Sequence, residues 1–60
     1  MIETEMGTFK VQENGKGCIL SMEGKKIFEL PGTAWWNTDA ILEGIARNRE
    51  LIEKNISERL

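Results

Sequence analysis

The chain contains no histidine and no tyrosine, one cysteine and one proline. Each of these absences removes a class of chemistry. Without histidine there is no side chain with an ordinary pKa near neutrality, and the Ser/His and Cys/His nucleophile pairs go with it. Cys18 has no second cysteine for an intrachain disulfide, and a lone thiolate cannot close a tetrahedral zinc site. No apolar run approaches the ~18 residues of a membrane span. The stretch from Met1 to Met6 carries Glu3 and Glu5 instead of a basic leader. A cytoplasmic location follows as the expectation, with Cys18 a free thiol in a reducing compartment. No metal or cofactor is expected.

What is present fits a small folded chain. The 60 residues are 40% hydrophobic and 30% charged, a globular composition. Below roughly 70–80 residues a single core seldom stands without a disulfide, a metal or an oligomer. With the first two set aside, oligomerisation is the expected staple. The net charge of −2 is spread evenly along the chain, so neither half is a basic arm or an acidic tail.

Residues 8–12 (Thr-Phe-Lys-Val-Gln) alternate apolar and polar as a half-buried strand does. Asn14-Gly15 follows, a strong signal for a two-residue hairpin turn. Residues 18–22 and 26–30 read as two further strands, separated by the Glu23-Gly24 turn and ended by Pro31-Gly32. Taking both loops as two residues long pairs Glu13 with Lys16, Val11 with Cys18 and Phe9 with Leu20. It also pairs Met22 with Lys25, Leu20 with Ile27 and Cys18 with Glu29. Phe9, Val11, Cys18, Leu20, Met22 and Ile27 then share a core face, leaving Ile19, Phe28 and Leu30 on the other. A one-residue slip at the second loop would move Phe28 and Leu30 onto the core face.

From Asn37 the period changes to that of a helix. Asn37 or Thr38 can cap it, with Asp39 and Glu43 near its positive end. Ile41, Ile45, Ile52 and Ile56 form the apolar stripe, and Glu43/Arg47 and Glu50/Lys54 are favourable i,i+4 pairs. Gly44 costs about 1 kcal/mol inside a helix and marks close approach to the sheet. The expected architecture is therefore α+β: a three-stranded antiparallel meander, then one C-terminal helix packed on it (βββα). One small domain is expected over residues 1–60, with the sheet over about 6–30, a turn over 31–37 and the helix over about 38–58.

No constellation here points to catalysis. Asp39 with Glu43 and Glu50 with Glu53 read as a solvated helix face, and Gly15-Lys16-Gly17 lacks the strand–loop–helix setting of a phosphate loop. The chain reads as a non-catalytic protein-interaction module that binds itself and another protein's surface, as a regulator or inhibitor does. Its size and acidic composition suit a phage or mobile-element regulator. The candidate interface residues are Trp35, Trp36, Ile19, Phe28 and Leu30. In an extended segment adjacent tryptophans point to opposite sides, so one is expected in the core and one outward, with burial of both within the monomer as the alternative. A competing reading is a nucleic-acid binder that uses the sheet with Lys10, Lys16, Lys25 and Lys26. The interleaved Glu13, Glu23 and Glu29 and a pI of about 5.0 count against it. A third reading is an oligomer that holds a small ligand in a tryptophan-lined interface pocket.

Overall fold

Two-residue turns fold the first half of the chain back on itself three times. The computed structural model describes residues 1–60. It has strands β1 (Ile2–Thr4), β2 (Gly7–Asn14), β3 (Gly17–Met22) and β4 (Lys25–Leu30), then helices α1 (Thr38–Arg47) and α2 (Arg49–Arg59). The strands lie in the order β1-β2-β3-β4, each antiparallel to its neighbour. The expected α+β class is present. The sheet has four strands where three were expected, and two helices stand where one was expected.

The additional strand is β1. At three residues it is too short for apolar alternation to register, and it starts ahead of the expected edge of the sheet. A side-chain turn secures it. The Thr4 hydroxyl accepts from the Met6 N–H at 3.1 Å and donates to the Gly7 carbonyl at 2.8 Å.

Both later hairpins depart from the expected pairing, for different reasons. At the first, Asn14 pairs with Gly17 and Val11 with Leu20, so the ladder is displaced by two residues from the expectation. Gly15, at φ +60, takes the first central position of the turn, and Lys16 takes the second. A two-residue displacement preserves the side-chain parity, so the core face survives. At the second, Glu23 (φ +52) and Gly24 (φ +79) form the turn and Met22 pairs with Lys25 as expected. A bulge then intervenes opposite Leu20 and Ser21. Beyond it Leu20 pairs with Phe28 and Cys18 with Leu30, not with Ile27 and Glu29.

That bulge redistributes the apolar residues of β4. Ile27 and Leu30 are both buried, and Phe28 is half-buried against the core. Together with Ile2, Phe9, Cys18, Leu20 and Met22 they meet Ile41, Ile45 and Ile52 of the helices. Val11 and Ile56 pack at the margin. Gly44 lets α1 close on this layer: a Cβ there would lie 3.1 Å from a Leu30 methyl.

The single expected helix is interrupted at Asn48, which leaves helical geometry at φ −111, ψ 21. Its side-chain amide donates to the Gly44 carbonyl at 2.8 Å, while its own N–H is shared between the Gly44 and Ile45 carbonyls. Asparagine competes with the helical ladder through such local bonds, and here the competition ends α1. At the other end the Asn37 carboxamide oxygen accepts from Ala40 N–H, the expected cap. Glu43 and Arg47 form their ion pair. Lys54 does not engage Glu50, and the second i,i+4 pair is Arg49 with Glu53. Helix α2 runs beside β4, and Asn55 and Arg59 bond the carbonyls of Lys26 and Ile27. No helix is long and apolar enough to cross a membrane.

Candidate interaction surface

Between β4 and α1 the chain makes two successive tight turns. The first has Pro31 and Gly32 at its centre, closed by Thr33 N–H donating to the Leu30 carbonyl at 3.3 Å. Proline presets the first central φ, and Gly32 supplies the positive φ (+77) at the second. The second turn is closed by Asn37 N–H donating to the Ala34 carbonyl at 3.0 Å. Trp35 and Trp36 are its central residues.

This geometry decides the fate of both indoles. The expectation of one buried and one exposed ring assumed an extended segment, in which neighbours diverge to opposite faces. In a tight turn the central residues stand on the outside of the bend. Trp35 is 50% exposed and Trp36 69% exposed, so neither plugs the core. Asn37 closes this turn and caps α1 at the same time, which holds the tip between two ordered elements.

The other three interface candidates separate from the tryptophans and from one another. Leu30 is only 4% exposed and belongs to the core, because the β4 bulge turns it inward. Phe28 packs against the same core from its margin. Ile19 alone stays on the opposite sheet face, half-buried between Gln12 and Glu29 of the neighbouring strands. The apolar patch anticipated on that face does not form.

That open face is polar and of mixed charge. Cross-strand register places Glu3 beside Thr8, Lys10 beside Ser21, and Ser21 beside Lys26. Of the four lysines in the nucleic-acid reading, Lys26 pairs with Glu29 at 3.0 Å, and Lys25 donates to the Arg59 carbonyl at 2.8 Å. Lys10 and Lys16 are exposed, one on the open face and one in a turn. Lys10 and Lys26 flank Ser21 on the open face, where Glu29 pairs with Lys26.

A shallow depression lies between the β1–β2 turn and α1. Met6, Leu42 and Ala46 line it, and Arg49 bridges its rim to Glu5 at 3.0 Å. Arg49 also meets Glu53, and the two carboxylates, Glu5 foremost, push its guanidinium pKa up. No signal in the sequence marked this depression, because Glu5 and Arg49 lie far apart in the chain. Leu42 and Leu51 add apolar surface on the outer side of the helices, at 41% and 56% exposure.

Cys18 is fully buried, and that burial pushes its thiol pKa up, away from the thiolate that nucleophilic chemistry needs. No group of three or more acidic or cysteine side chains is arranged to hold a metal ion. Comparison with protein-family profiles, curated proteins and solved structures yields no match to this chain.

Proposed function

We propose that this chain is a non-catalytic protein-interaction module, self-associating, that presents Trp35 and Trp36 to the surface of another protein. One observation carries the reading: two adjacent indoles stand outside a hydrogen-bonded turn at 50% and 69% exposure. Exposed tryptophan is unfavourable in isolation, and tryptophan is enriched among the residues that dominate binding energy. A turn fastened to a capped helix presents these rings at small entropic cost, which favours an anchoring role. Such a module acts as a regulator or inhibitor by occupying the surface it binds.

The experiment is affinity capture from the native host, comparing the wild-type chain with Trp35→Ala and Trp36→Ala. Both variants are first shown to keep the native circular-dichroism spectrum. A protein retained by the wild type and lost by at least one variant supports the reading. An identical captured set for all three chains overturns the role of the tryptophans.

A further inference from the structure

The sheet has two edges, and they are finished differently. Helix α2 covers the outer edge of β4, with Asn55 and Arg59 bonding its carbonyls. On the other side, β1 reaches only Gly7 to Phe9 of the eight-residue β2. The rest of that edge, from Lys10 to Asn14, has no strand beside it.

The direction of the backbone groups along that stretch follows from the turns. Residues flanking a two-residue turn form a hydrogen-bonded pair, and such pairs alternate along an antiparallel ladder. The Thr4/Gly7 pair therefore directs the amide groups of Gly7 and Phe9 toward β1. The Asn14/Gly17 pair directs those of Asn14, Gln12 and Lys10 toward β3. The two hairpins agree. Val11 and Glu13 are left with their N–H and C=O groups pointing outward past the end of β1. Neither takes part in any of the turn, loop or cap hydrogen bonds.

We infer that this step in the sheet edge is the self-association site, and that its occupant is the same stretch of a second copy. The inference rests on the self-associating reading above and adds the surface that carries it. A two-fold axis through Gln12 and perpendicular to the sheet sets Val11 opposite Glu13 of the other copy, and the reverse. Both are the outward-directed residues, so these become hydrogen-bonded pairs supplying about four main-chain bonds. Gln12 meets its own copy as the close pair between them. The charges are compatible: Lys10 falls opposite Asn14 and Glu13 opposite Val11, so no like charges face each other. The same axis keeps both core faces on one side and gives a closed, isologous dimer with a continuous sheet. In this register Asn14 of the second chain falls where Met1 lies and Gly15 falls opposite Phe9, the position Ile2 holds in β1, so Met1 and Ile2 both have to move aside for the two edges to close.

The test combines sedimentation with cysteine cross-linking. The central pair has Cα atoms about 4.5 Å apart, within the range a disulfide spans. Gln12→Cys is expected to give a covalent dimer on mild oxidation. Thr8→Cys, on the same face but away from the axis, is expected to stay uncrosslinked. Glu13→Pro removes one outward N–H without touching the β2–β3 ladder, and it is expected to sediment at half the wild-type mass. If the wild type dimerises, Glu13→Pro stays dimeric and Gln12→Cys fails to cross-link, the edge is overturned and self-association stands. A monomeric wild type at micromolar concentration overturns both.

Discussion

Asn55 donates from its side-chain amide to the main-chain carbonyl of Ile27 at 2.9 Å, across 28 residues of sequence. Ile27 lies in the β4 bulge, where the extra residue leaves a ladder position unfilled. One nitrogen of Arg59 reaches the Lys26 carbonyl at 2.7 Å and the Ile27 carbonyl at 3.1 Å. In a regular strand two successive carbonyls point to opposite edges, so this shared donor is itself a consequence of the bulge. The helix thus supplies the hydrogen bonds that the distorted strand has lost.

Asn55→Ala is expected to cost about 1 kcal/mol, since Arg59 still serves Ile27. The double variant with Arg59→Ala is expected to cost more than the sum of the single changes, because only then is the carbonyl left without a partner. Urea unfolding of the four chains of the cycle measures this directly. Additive losses would mean that solvent replaces both donors freely.

Gly17 is expected to tolerate no side chain. A Cβ there would lie 2.4 Å from the Leu30 carbonyl oxygen and 2.8 Å from Pro31 Cα, both backbone. Gly17→Ala should lose more than about 3 kcal/mol, in the range of severe steric substitutions. Gly15→Ala has open space and only a positive φ to oppose it, so about 1 kcal/mol is expected. Equal losses at the two positions would contradict the close approach at Gly17.

Glu23 adopts φ +52, a conformation that costs an ordinary L residue roughly 1–2 kcal/mol. Glu23→Asn or Glu23→Gly is expected to stabilise the chain by about 0.5 kcal/mol, with no change in denaturant slope. A destabilised Glu23→Asn would show that the turn has a different form in solution.

Trp35→Ala and Trp36→Ala are each expected to cost less than about 1 kcal/mol, far from the ~3–5 kcal/mol of a truncated core aromatic. Both rings should show the emission of hydrated indole and quench readily with acrylamide. A protected emission that is lost in either variant would place that ring against the core.

The raised Cys18 pKa predicts a loss of stability in alkali. Above about pH 8.5 the unfolded chain gives up the thiol proton while the folded chain keeps it. The unfolded state then binds fewer protons, so stability is full below that pH and falls as pH rises. The difference in urea midpoint between wild type and Cys18→Ala, followed from neutral pH upward, isolates this effect. A thiol reagent at neutral pH should label Cys18 only as the chain unfolds.

The sequence by itself determined the antiparallel meander from residue 8 onward, the start of the helix at Asn37 and the composition of most of the core. These features are local. Apolar alternation, turn glycines and a capping asparagine act within a few residues, so they can be read without knowing what lies across the sheet. Gly44 was legible for the same reason, since a glycine inside a helix implies close contact. The rest was decided by the folded structure, at the β4 bulge through contacts distant in sequence and elsewhere through local bonds that the apolar period does not report. The β4 bulge, and with it the burial of Leu30, depends on carbonyls satisfied by Asn55 and Arg59 from the far end of the chain. Strand β1 is too short to show a pattern and exists because Thr4 turns it onto β2, where Ile2 joins the core. The break at Asn48 is invisible to the isoleucine period, which runs through it unbroken. The tryptophans were placed by a single hydrogen bond between Asn37 and Ala34. That bond bends the segment, and the bend sends both rings outward.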